Sequence, residues 1–96
     1  MNNDYVNYIN REIDKLNEFI AKEQRDIDVH RNRIKFIENK SFDDLWGMEV
    51  HEAKKAILEA HRDYITGSKN TILHYEKIIK SYKNKLEEKL NKVVDN

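Results

Sequence analysis

The sequence predicts an all-α chain folded as one elongated antiparallel helical hairpin, two long helices joined by a turn around residues 40–48. Three observations carry that expectation. Apolar residues recur at alternating spacings of three and four through residues 4–39, a second series repeats every seven residues from Leu58 to Val93, and a short stretch between them breaks the pattern. The 96 residues contain no Pro and only two Gly, so little interrupts a long helix.

The first helix is read from Val6, Ile13, Ile20, Ile27 and Ile34 as the a column of a heptad repeat. Ile9, Leu16, Glu23, His30 and Ile37 form its d column, which together make a coiled-coil seam. Asp4 suits the positive end of the helix dipole, and Lys35 and Lys40 suit the negative end. At 1.5 Å per residue such a helix is about 50 Å long, which points to a rod rather than a globule.

The pattern stops at Lys40-Ser-Phe-Asp-Asp-Leu-Trp-Gly47. Ser41 and Asp44 have the spacing of a capping box, with Asp in place of the usual Glu, and Gly47 is free to adopt a turn conformation. The chain is expected to reverse here. Beyond it Leu58, Ile65, Ile72, Ile79, Leu86 and Val93 lie seven apart, and Val50, Ile57, Tyr64, Thr71 and Ile78 form a neighbouring row in the same phase. The phase survives Gly67-Ser68, which favours one second helix from about residue 44 to 94, kinked or frayed at Gly67, over a corner at Thr66–Asn70. Ala53, Ala60 and Gly67 also fall seven apart, so the glycine can serve close helix approach instead of a break. The whole of residues 1–96 is read as a single helical-hairpin domain.

Composition excludes several functions. Without Cys there is neither a disulfide framework nor a thiolate metal site. Eighteen basic and eighteen acidic residues give a formal net charge of zero, whereas a polyanion-binding module or a nucleic-acid mimic needs a large excess of one sign. Lys77, Lys80, Lys83, Lys85, Lys89 and Lys92 near the C-terminus read as a solvated helix face rather than a nucleic-acid surface. The opening MNNDYVNYINRE lacks a basic segment followed by an apolar run, and no window approaches a membrane span. The chain is therefore expected to be made in the cytoplasm, without insertion into a membrane.

No catalytic pattern is present. There is no glycine-rich phosphate loop, no nucleophile elbow, and His51-Glu52 is followed by Lys55 where the zinc-protease motif needs its second His. A two-helix rod offers no cleft to exclude water, so neither enzymatic activity nor a cofactor is expected. The polar residues that stand out are Glu23 and His30 in the d column, which an antiparallel hairpin places opposite residues 59–68, where His61 and Ser68 also face the seam. These four form a buried polar layer that fixes register at some cost in stability. A metal site of Glu23, His30 and His61, or a pH-sensitive switch, are the sharper alternatives.

A second clue comes from aromatic residues outside the seam. Tyr5 and Phe19 flank it, Tyr8, Val29 and Phe36 lie away from it, and Tyr64, Tyr75, Ile78, Tyr82, Leu90 and Val94 widen the second helix. Two apolar stripes on a two-helix hairpin leave one without an internal partner, which marks an interface.

With Trp46-Gly47 near its midpoint, two long cysteine-free helices, and Ala53 and Ile57 beyond the turn, the chain resembles the small helical-hairpin proteins of type VII secretion. These comprise the WXG family and the α-helical accessory proteins that accompany LXG-domain toxins. The opening Ile9-Asn10-Arg11-Glu12-Ile13 followed by Leu16 resembles the N-terminal helix of the toxin-associated subgroup. The sequence departs from the family pattern in having no residue between Trp46 and Gly47, and in lacking a Tyr-x-x-x-Asp/Glu signal after the second helix. The resemblance implies a non-enzymatic accessory or targeting protein that pairs with the helical N-terminal domain of a secreted toxin or with another small helical hairpin. Export of the complex would then follow a route independent of a signal peptide, its signal supplied by the partner. On this reading Phe19, Phe36, Tyr64, Tyr75 and Tyr82 meet the partner, and Trp46 pins the turn or enters a pocket on the partner.

Two other functions fit the same residues. One is a phage or mobile-element inhibitor that binds a folded host protein. The other is a homo-oligomeric structural coiled coil, for which the β-branched a column is well suited.

Overall fold

The structure is a computed structural model that describes residues 3–39 and 47–94, with side chains described for 3–39 and 51–91. It is an all-α helical hairpin of two elements, α1 (Asn3–Asn39) and α2 (Gly47–Val94). The capping box at Ser41 and Asp44, together with Trp46, lies outside the described residues; Gly47 is the first residue of α2.

The molecule is a rod of 78 × 14 × 14 Å with a radius of gyration of 21.9 Å. A compact domain of this length would have a radius of about 12.5 Å. The elongation follows from helix length alone, since 48 residues at 1.5 Å each give α2 a span of about 72 Å. Asp4 sits in the first turn of α1, where its charge complements the exposed backbone N–H groups.

α2 runs through Gly67 without a break, as the unbroken heptad phase predicts. On either side of the glycine a threonine ties down a helical carbonyl. The Thr66 hydroxyl donates to the Arg62 carbonyl at 3.1 Å, and the Thr71 hydroxyl donates to the Gly67 carbonyl at 3.0 Å. Each hydroxyl is thereby satisfied inside its own helix and does not compete with the backbone ladder.

The two helices pair antiparallel. His30 meets His61, Phe19 meets Tyr75 and Tyr5 meets Lys89. Residue n of α1 therefore lies level with roughly residue 93 − n of α2, as antiparallel pairing requires. Burial follows the heptads closely. Every a and d residue of α1 from Val6 to Ile37 is buried or half-buried, and so is every residue of the matching columns of α2 from Leu58 to Lys89. The most deeply buried apolar side chains are Ile9, Ile27 and, at the margin of full burial, Ile13, Ile65 and Ile79. Ile9, Ile13 and Ile79 form one cluster, closed by Tyr5, Leu16, Ile20, Tyr82 and Leu86, at the end of the hairpin that holds both chain termini.

The structure thus draws its seam from the expected columns. Its d column on α2 is unusual, reading His61, Ser68, Tyr75, Tyr82 and Lys89, with no aliphatic residue.

Candidate functional site

Midway along the rod the seam turns polar. His30 from α1 and His61 from α2 face each other with Nδ1 atoms 2.7 Å apart and ring centroids 4.9 Å apart. One ring must present N–H and the other a lone pair for that contact to be a hydrogen bond. Tyr64, one turn beyond His61, lays its ring over His30 at a centroid distance of 4.0 Å and a tilt of 31°. Ser68 is 5% exposed and is the only polar residue among those described that is fully buried. Glu23 is half-buried. Among the described residues no fully buried side-chain nitrogen or oxygen lacks a hydrogen-bond partner.

Of the four residues expected in this layer, the structure brings His30 and His61 into direct contact. Glu23 stands one heptad before His30, about 10 Å along the helix, and so does not converge with the imidazoles. Among the described residues no group of three or more His, Cys, Asp or Glu is placed to hold a metal ion.

The outer surface divides into two unlike sides. In an antiparallel pair the g columns of both helices flank one side of the seam and the e columns flank the other. The e side carries Asn10, Asn17, Gln24, Arg31 and Glu38 on α1 and Lys55, Arg62, Lys69, Glu76, Lys83 and Leu90 on α2. It is crossed by an ion pair in which Arg62 Nη2 donates to Glu38 Oε1 at 2.8 Å. The g side, with the c column beyond it, carries Tyr8, Phe19, Val29 and Phe36 on α1 and Ile57 and Tyr64 on α2. These six are about half exposed or more, from 47% for Tyr64 to 62% for Phe36. Leu73 and Leu90 are the other exposed large apolar residues among those described, and they lie on the opposite side, Leu90 in the e column and Leu73 in the b column beyond it.

The g side also has relief. Val29, Asn32, Arg33 and Phe36 enclose a shallow open hollow of about 410 Å³ on α1. At the same level on α2 the c column offers the small residues Ala53, Ala60 and Gly67, all exposed. A Cβ built on Gly67 would meet nothing within 4 Å, so within this chain the glycine permits no close approach.

The five aromatic residues expected at a partner surface fall into two groups. Phe19, Phe36 and Tyr64 are exposed on the g side. Tyr75 and Tyr82 are half-buried in the d column of α2, where Tyr75 packs on Phe19 at 5.7 Å between centroids and Tyr82 covers the Ile9–Ile13–Ile79 cluster. Ile57 joins the exposed group; its position one heptad before Tyr64 is the signal that marks it in the sequence.

Near the C-terminus Lys89 places its Nζ over the Tyr5 ring at 4.2 Å, and Lys85 sits 5.7 Å from the Tyr82 ring. Both contacts set a cation against the face of an aromatic ring. No helix among the described residues is long and apolar enough to cross a membrane.

Comparison with protein-family models, with characterised proteins and with solved structures finds no match to this chain.

Proposed function

We propose that the chain is a non-enzymatic pairing protein whose g side docks lengthwise on a helical partner, in the manner of a type VII secretion accessory protein. The partner in this reading is the helical N-terminal domain of an LXG-type toxin or another small helical hairpin. The observation that carries it is the segregation of exposed apolar side chains. Six of the eight large ones described lie on one side of the seam, while the opposite side holds the other two, Leu73 and Leu90, among polar residues. Segregation of this kind is the signature of a surface that is covered part of the time.

Surface area supports the same reading. The chain exposes 7820 Å², against about 5,800 Å² for a compact monomer of its mass. An excess of roughly 2,000 Å² is more than the area of about 800 Å² that a standard protein interface buries on each partner. Straight, parallel columns of side chains fit another helix better than they fit the curved surface of a globular protein.

The test is co-expression of the chain with helical proteins encoded beside it, followed by solution mass measurement. A stable heteromer whose formation is lost on Val29→Ser or Ile57→Ser supports the reading. A tight homo-oligomer indifferent to those neighbours replaces it with a structural coiled coil, and capture of a folded host enzyme replaces it with an inhibitor.

A further inference from the structure

We propose that the His30–His61 contact is an acid-sensitive latch, which holds the two helices together while the pair carries at most one added proton and lets go when it carries two. The inference concerns the hairpin's own seam and stands without the docking partner.

The chemistry follows from the contact atoms. Both rings use Nδ1, at 2.7 Å. With no added proton, one ring donates and the other accepts. With one added proton the contact remains intact, because a donor N–H still faces a lone pair and the bond becomes charge-assisted. With two, N–H faces N–H and two positive rings stand 4.9 Å apart between centroids, half shielded from water. The rings must then separate, and Tyr64, stacked on His30 at 4.0 Å, limits how far His30 can swing without disturbing it.

Surrounding charge does not rescue the doubly protonated pair. From α1, Asp26 lies one turn before His30 and Glu23 one heptad before it, both half-buried, while Arg33 follows one turn after. From α2, half-buried Lys54 precedes His61 by a heptad, and Glu59, Asp63 and Arg62 are exposed beside it, with Arg62 engaged by Glu38. The acids outnumber the bases, but among the described residues no carboxylate forms an ion pair with either ring, so the repulsion within the pair decides the outcome.

The direction of the pH effect is fixed by proton count. In the unfolded chain both histidines take up protons as pH falls through about 6.5. The folded chain with its latch closed takes up no more than one there. The unfolded state therefore binds more protons below that pH, and stability falls as pH falls, with the unfolding constant rising by up to about tenfold per pH unit.

The experiment is urea unfolding of the full chain from pH 7.5 to 5.5, comparing the unaltered protein with His30→Gln, His61→Gln and His74→Gln. Glutamine keeps an acceptor that a protonated imidazole can use, and exposed His74 serves as control. Expected is a several-fold rise in the unfolding constant between pH 6.5 and 5.5 that His30→Gln and His61→Gln abolish and His74→Gln preserves. Coincident pH profiles for all four proteins would overturn the proposal. Should the seam variants not fold, proton NMR of the unaltered chain decides. The His30 and His61 ring signals should move together as pH falls, and signals that move independently of each other would sink the latch.

Discussion

His30 and His61 occupy facing seam positions that the heptad pattern reserves for apolar residues, and they satisfy each other Nδ1 to Nδ1 at 2.7 Å. Their value to the fold lies in being paired. Removing one leaves the other's nitrogen half-buried without a protein partner, whereas removing both leaves nothing to satisfy. At neutral pH, His30→Leu or His61→Leu alone should cost about 1 kcal/mol. The double variant should recover most of that, seen as a positive coupling energy in a double-mutant cycle by urea unfolding.

Ile9 is the most buried apolar residue described, at 2% exposure, and belongs to the cluster with Ile13 and Ile79. Ile9→Ala should cost about 3 kcal/mol, as a large-to-small change in a packed core does. Exposed Val29→Ala should stay within about 0.5 kcal/mol. Thermal unfolding followed by circular dichroism measures both, and equal losses would contradict the described seam.

Gly67 lies in the interior of a 48-residue helix with open space where a Cβ would go. Gly67→Ala should stabilise the isolated hairpin by about 0.5–1 kcal/mol, the backbone entropy that alanine does not lose. A rise in melting temperature of about 4–8 °C per kcal/mol is the readout. If the same substitution weakens a heteromer, the glycine's missing side chain is used by the partner.

The Arg62–Glu38 ion pair is short, at 2.8 Å, yet both side chains are roughly half exposed to solvent. Water and salt screen such a pair, so a double-mutant cycle with alanine at both positions should give a coupling of about 0.5 kcal/mol or less. The coupling should shrink further in 0.5 M salt. A coupling several times larger would mean that the e side is more enclosed than it is here.

On the docking side, Ile57→Ser removes an exposed apolar residue that contributes little to the seam. The hairpin's unfolding midpoint should move only slightly, within about 0.5 kcal/mol. Affinity for a helical partner should fall at least tenfold, measured by titration of the purified components.

The seam was legible because β-branched and leucine residues fill the a column of both helices at a strict seven-residue spacing, from Val6 to Ile34 and from Leu58 to Leu86. Continuity through Gly67 followed from the same spacing. The d column of α2 was harder to read, since His61, Ser68 and Lys89 are polar and hide the fact that Tyr75 and Tyr82 share their column. Judged by type, those tyrosines belong with Phe19 and Tyr64 at the surface; judged by position, they line the seam. Pairing of His30 with His61 was visible as proximity, but the exclusion of Glu23 was not, because distance along a helix counts for as much as facing direction. The Trp46-Gly47 element draws its meaning from a turn whose geometry spacing alone does not supply.

The best-packed part of the hairpin is the cluster farthest from the connection between its helices. Ile9 and Ile79 meet across an intervening chain of about 70 residues, so their contact forms only after the entropy of closing that loop has been met. Assembly that begins at the turn must advance past the histidine layer before it reaches its strongest grip. Once there, sliding one helix by a heptad against the other would require that distant clasp to open first. Amide hydrogens near Ile13 and Ile79 should therefore be the last to exchange.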